Sequence, residues 1–189
     1  MKIVLCAGHD TIKDVGAVST LNGVTYKEAS IALQLRNKVK FYLEKVGHTV
    51  IADGTVNQSM LLREAIKLIP HGQVAVELHL NASANKQACG VETISTAKHK
   101  ELSQKISNEI ARSLDTKVRR DNGWYDYSKT GRSLGFINNG GIIVEAFFIT
   151  NDDELQRYLN KEWMVARAIA RAIHNHYERT DFDTIFNKA

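Results

Sequence analysis

Residues 74 to 83, VAVELHLNAS, alternate with a period of two, as a strand does. Val74, Val76, Leu78 and Leu80 face one way, while Ala75, Glu77, His79 and Asn81 face the other. The even-numbered side reads as core, yet the odd-numbered side offers a carboxylate, an imidazole and an amide. Shorter apolar runs predict further strands at KIVLCAG (2–8), HTVIAD (48–53), GVETIST (90–96) and GIIVEAFF (141–148). Between them the period lengthens. Ala32, Leu35, Val39, Tyr42 and Val46 make one stripe of a helix within 26–47, stopped by Gly47. A second helix is predicted at MLLREAIKLI (60–69), ended by Pro70, and a third at 100–114. NDDEL opens a helical C-terminal region running through Tyr177, with Asn151 as cap and Glu154 three residues on in capping-box position. A Gly/Asp/Thr-rich loop follows the first strand, and a polar loop with aromatics spans about Arg119 to Asn139. Strands alternating with helices predict an α/β single domain: a twisted, mostly parallel sheet flanked by helices on both faces. Ligands of such sheets bind beyond the carboxyl ends of the strands, and that is where the polar groups matter.

Composition narrows the classes. With 189 residues, one proline and 43% hydrophobic residues, the chain can fill one sizeable core, which argues against disorder. No repeat, low-complexity tract or linker divides it. The apolar runs are too short to span a bilayer, so no membrane insertion is expected. MKIVLC lacks the apolar stretch of a secretory signal and leads straight into a strand, so synthesis in the cytoplasm is expected. Cys6 and Cys89 do not make a disulfide framework and read as reduced thiols. A net charge of +4 is compatible with an anionic partner, nucleic acid or polyanionic cell surface, but is too small to choose one.

Four side chains fall at strand ends or on an inward helix face. His9 lies in AGHD, just after the first strand; Glu28 heads the apolar stripe of the first helix; His79 closes its strand; Glu145 sits in IIVEAFF between apolar neighbours. Each has a bland alternative. His9 alone suits a hydrogen-bonded loop residue, Glu28 suits a helix N-terminus, and a buried His79 can be satisfied by a backbone carbonyl. Glu145 is harder to explain so, because an ionised carboxylate in an apolar run needs a partner or takes up a proton. Together, two histidines and a carboxylate supply the protein half of a catalytic zinc site, with a further carboxylate as base for metal-assisted hydrolysis. No compact H-E-x-x-H signature compels that reading. His99, His174 and His176 read as surface residues.

Four segments in order, AGHDTIKDVGAVS, YKEASIALQLRNKV, ELHLNASANKQACGVET and IIVEAFFITNDDE, resemble those of the zinc-dependent N-acetylmuramoyl-L-alanine amidases of the type 3 amidase family. They correspond to its first-strand G-H with a later D-x-G-A, its Glu-bearing helix, its H-x-N followed by G-x-E, and its closing L-V-E-x-x-F-x-x-N. The resemblance covers about residues 2 to 178 and implies a twisted sheet of about six strands. It implies His9, Glu28 and His79 as zinc ligands and Glu145 as the catalytic carboxylate, cutting the amide between muramic acid and the first alanine of the peptidoglycan stem. ELHLNAS with a helical tail is similar to phage endolysin catalytic domains, which implies action on the bacterial wall after release from the cell. Where the family commonly has serine, this chain has Glu77, which could orient the metal site, compete as a ligand or pair with a base. Asn81 fixes a turn or meets substrate. Residues 1–178 would be the catalytic domain and 179–189 a tail or linker stub.

The loop RRDNGWYDYSKTGRS interleaves Arg119, Arg120, Lys129 and Arg132 with Trp124, Tyr125 and Tyr127. Such a set could grip a glycan or stem-peptide carboxylates, stack on nucleic-acid bases, or be a plain solvated loop. Peptidoglycan is the partner expected, with no nucleic acid. The alternatives are a zinc peptidase or amidohydrolase on another acylated amino acid, and a catalytically silent wall-binding module.

Overall fold

Five consecutive residues, Ile3 to Ala7, are buried in the computed structural model, which describes residues 1–188. Continuous burial is what a strand needs when it has neighbours on both edges and side chains packed on both faces. That strand is β1 (Lys2–Ala7). It is followed by β2 (Val18–Leu21), β3 (Val24–Lys27), α1 (Glu28–Lys45), β4 (Thr49–Ala52), α2 (Leu62–Ala65), β5 (Val74–Asn81) and β6 (Glu92–Ser95). The remainder comprises α3 (Lys100–Leu114), β7 (Trp124–Asp126), α4 (Gly135–Asn138), β8 (Ile142–Phe148), α5 (Asp152–Tyr177) and α6 (Phe182–Phe186). Six strands form one sheet in the order β4-β1-β5-β8-β6-β7. β4, β1, β5 and β8 run parallel, β6 is antiparallel to β8, and β7 runs parallel to β6. The expected α/β sheet with helices on both faces is therefore present.

The two faces are unequal. The long helices α1, α3 and α5 lie together, burying Leu35, Val39, Ile106, Ile110, Val165 and Ile169 against Leu5, Val76, Leu78 and Val144. Each such side chain contributes about 1.5–3 kcal/mol. On the other face short elements suffice: Ala65, Ile69, Phe136 and Ile137 cover Val4, Cys6, Ala75 and Ile143. This thin cover leaves the carboxyl ends of β1, β5 and β8 open on the polar side of β5.

Several local expectations need correction. The loop after β1 contains the hairpin β2–β3, turned at Asn22 and Gly23 with φ of 50° and 79°. Asn-Gly between two short alternating runs is the strongest local hairpin signal, so it was legible. Because β3 uses Tyr26 and Lys27, α1 begins only at Glu28. The second helix is a single α-turn continued by a 3-10 stretch, Ile66–His71, which contains Pro70 rather than ending before it. Asn151 does cap α5, accepting from Glu154 N at 2.9 Å. The Glu154 carboxylate does not close the box; it accepts from Gly90 N and Phe148 N, both at 2.8 Å, and so ties β8 to the loop before β6. His99 and His174 are buried, not superficial. His174 Nε2 donates to the Thr180 carbonyl at 2.7 Å, which leaves Nδ1 to accept from His48 Nε2 at 2.9 Å. Residues beyond 178 carry α6, whose Phe182 is fully buried in the core. No helix is long and apolar enough to cross a membrane.

Arg36 of α1 and Asp53, just after β4, form an ion pair at 3.2 Å with neither exposed to solvent. Arg36 also donates to the Asp53 and Thr55 carbonyls, while the Asp53 carboxylate accepts from Ala7 N and Met60 N at 2.9 and 3.0 Å. Burial lifts the Asp53 carboxyl to about 6, against the pull of Arg36. The pair fixes the 53–60 segment against the end of β1. Arg36→Met would strand a buried carboxylate, so it should cost about 3–5 kcal/mol in urea denaturation.

Candidate metal centre

The backbone first creates room. Gly8 follows β1 where a Cβ would lie 2.3 Å from the His79 ring, so only glycine lets β5 bring that imidazole against β1. The next residue, His9, is held at φ 65°, a left-handed conformation rare for non-glycine residues and common where function requires strain. At Gly16, φ is +66° and a Cβ would stand 2.7 Å from both Glu28 Oε2 and the His9 ring. The close approach of three segments is thus built into two glycines.

Into this space come His9 from the loop after β1, Glu28 from the first residue of α1 and His79 from β5. One donor atom from each lies within 4.8 Å of the others, a grouping able to hold a metal ion. Glu28 Oε1 is 3.2 Å from His9 Nε2 and 3.2 Å from His79 Nδ1. The carboxylate is itself clamped, accepting from Leu80 N through Oε1 and from Ala17 N through Oε2, each at 2.9 Å. Burial disfavours its charge, but hydrogen bonds from His79 and His9 outweigh that and hold the carboxyl well below the usual range.

The outward nitrogens of the two rings are also engaged. His9 Nδ1 meets Asp14 Oδ2 at 3.0 Å, and His79 Nε2 meets Glu77 Oε2 at 3.0 Å. A carboxylate can only accept there, so each outer nitrogen carries a proton; each inner nitrogen donates to Glu28 and becomes a ligand on giving up its own proton to an incoming ion. Glu77 thus stands hydrogen-bonded to the ring of His79.

Glu145 lies beside His79 across the β5–β8 pair and beside Glu92 across β8–β6, so the three occupy one row of the sheet. It is half-buried, and its Oε2 is enclosed without a hydrogen-bond partner. Burial pushes its carboxyl up to about 7; His79 opposes the rise, and the Glu28 and Glu92 carboxylates add to it. His9, Glu28, His79, Glu145 and Arg132 line one cavity of about 290 Å³. A neighbouring cleft of about 310 Å³ shares His9 and His79 and also holds Glu77. A larger hollow, about 540 Å³, flanks the donors and does not contain them.

Asn81 lines the same cavity as the trio. Its Nδ2 donates to Glu92 Oε1 at 3.2 Å and its Oδ1 accepts from Ala82 N at 2.9 Å. Glu92 also binds Arg119 and Arg120, at 2.8 and 3.1 Å. Sequence reasoning gave no role to Asp14 or Glu92, although both stood in the quoted D-x-G-A and G-x-E segments. Of the loop aromatics, Trp124 is buried and donates to Ser95, and Tyr125 packs under Arg120, 4.0 Å from ring centroid to guanidinium. Cys6 and Cys89 are free, as expected.

An open α/β sheet with three metal-capable donors at its carboxyl edge and an unpaired carboxylate beside them defines the class of protein. The chain belongs to the N-acetylmuramoyl-L-alanine amidase family, whose model matches residues 3–175. Among solved structures it is similar to a Neisseria meningitidis protein assigned as an N-acetylmuramoyl-L-alanine amidase, with 40% identity over 93% of this chain and 94% of that one and a TM-score of 0.83. An N-acetylmuramoyl-L-alanine amidase of Clostridium difficile 630 shares the fold at 22% identity, 95% and 97% coverage and a TM-score of 0.77. AmiC2 of Nostoc punctiforme does so at 22% identity, 95% and 98% coverage and 0.76. No curated protein matches the chain significantly.

Proposed function

We propose that the protein is a zinc-dependent peptidoglycan amidase, cutting the amide between N-acetylmuramic acid and L-alanine of the stem peptide, in the setting of a phage or prophage endolysin. The observation that carries the chemistry is the meeting of His9, Glu28 and His79 in one centre with the unpartnered Glu145 on the same cavity wall. Two imidazoles and one carboxylate suit zinc, and Asp14 and Glu77 hold the outer protons so that the inner nitrogens are the ones that would ligate, releasing their protons as the metal binds. Membership of the amidase family supports the bond cut, and the endolysin setting rests on the likeness of ELHLNAS and the helical tail.

When bound, zinc supplies a Lewis acid for the scissile carbonyl and lowers the pKa of the attacking water to about 7. Glu145 takes a proton from that water at its unpaired Oε2 and returns it to the departing alanine nitrogen, which is a poor leaving group until protonated. A carboxyl lifted toward neutrality by burial suits both halves of this shuttle. Glu77 and Asp14 hold the rings of His79 and His9 in place.

Digestion of purified peptidoglycan tests the reading. New alanine amino termini without new reducing sugars are expected. New reducing ends would mean a glycosidase, and neither product with retained binding would mean a silent wall-binding module.

A further inference from the structure

The catalytic cavity is lined by one permanent cation. Besides the histidines, its wall includes Leu80, Asn81, Ile94, Leu134, Ile143 and the carboxylates of Glu28 and Glu145, with Arg132 at the rim. Three other arginines are already committed. Arg119 and Arg120 are both tied to Glu92 and stacked on aromatic rings, and Arg36 is buried on Asp53. The Arg132 guanidinium is exposed and has no hydrogen bond or ion pair among the described residues.

The backbone that carries it is nonetheless held. Arg132 N donates to Thr130 Oγ1 at 3.2 Å, and Thr130 Oγ1 donates to the Tyr127 carbonyl at 2.9 Å. Two residues on, Leu134 N donates to the Tyr127 hydroxyl at 3.0 Å, and that hydroxyl donates to Asn138 Oδ1 at 2.6 Å. A guanidinium left without a partner on a braced loop at the mouth of an acidic cavity is preorganised for an anionic group, because little order is lost when it binds. Its planar fork matches a carboxylate with two parallel hydrogen bonds.

We propose that Arg132 is the specificity anchor for the peptide side of the substrate, binding the free α-carboxylate of the γ-linked acidic residue that follows the alanine. The inference rests on the amidase reading given above. The scissile nitrogen belongs to the alanine, so the first anion beyond it lies one residue along the leaving peptide. The Glu145 carboxylate on the cavity wall would repel that anion unless a cation received it.

Two synthetic muropeptides, identical except that this second residue carries a carboxylate or a carboxamide, provide the test. Wild type should favour the carboxylate. Arg132→Ala should lower kcat/KM for the carboxylate substrate about 10- to 100-fold, mainly through KM, the range for a lost hydrogen bond to a charged group. It should leave the carboxamide near its wild-type rate, and Arg132→Lys should recover part of the loss. Equal slowing of both substrates, with a shifted pH profile, would mean that Arg132 acts only through Glu145, and no effect on either would mean that it is idle. Both results overturn the proposal and leave the amidase reading standing. If wild type released alanine amino termini from neither substrate nor from whole peptidoglycan, the two would fall together.

Discussion

Replacing Glu145 with glutamine should abolish most of the hydrolysis while leaving the protein folded and able to bind metal. The substitution keeps the side chain's size but removes its capacity to accept a proton from water, and a positioned acid–base group is worth about 100- to 10,000-fold. Folding should not suffer. The Glu145 Oε2 atom makes no hydrogen bond to lose, and a neutral amide ends the electrostatic conflict with Glu28 and Glu92. Counting alanine amino termini released from peptidoglycan, beside a urea unfolding curve, measures both halves. A variant that lost less than about 10-fold in kcat would remove Glu145 from the role of base.

His79→Ala should fail differently, by losing the ion. His79 supplies one of three donors, and Glu28 and His9 alone leave an incomplete set for a metal that takes three protein ligands in catalytic sites. Metal analysis after gel filtration should show the wild type carrying close to one zinc per chain and the variant almost none, with hydrolysis lost alongside. Glu77→Gln sets the scale between them. It keeps His79 but weakens the hold on its outer nitrogen, and should reduce metal affinity by about 10- to 100-fold. Full zinc occupancy in His79→Ala would show that the ion is held elsewhere.

Much of this organisation could be read from the amino acids alone, for reasons visible in particular residues. Val76, Leu78 and Leu80 announced β5 by their alternation, and the same alternation aimed Glu77 and His79 at the opposite side. The long helices were legible because α1, α3 and α5 bury continuous stripes. Short elements were not: β7 is three residues and α4 four, too brief for any period to declare itself, and both depend on packing against β6 and β8. The misplacement of His174 has a related cause. His174 packs against His48, which is 126 residues away, and against Phe182 of α6, neither of which a local pattern reveals. In the site, residues with unusual surroundings stood out, such as Glu145 in an apolar run. Asp14 and Glu92 did not, since an aspartate in a loop and a glutamate opening a strand are ordinary until their partners are seen. The meaning of Arg132 emerged only once Arg119 and Arg120 were found engaged with Glu92.

The row formed by His79, Glu145 and Glu92 across β5, β8 and β6 has a further implication. A slip of one position in any of these strands would turn its residue of the row into the buried layer and bring out a neighbour in its place, Leu78 or Leu80 in β5, Val144 or Ala146 in β8, Val91 or Thr93 at β6. The oily underside of the sheet therefore acts as a proofreader for the chemistry above it. Substitutions that loosen that underside can blunt turnover from a distance, without touching a single atom that meets the substrate.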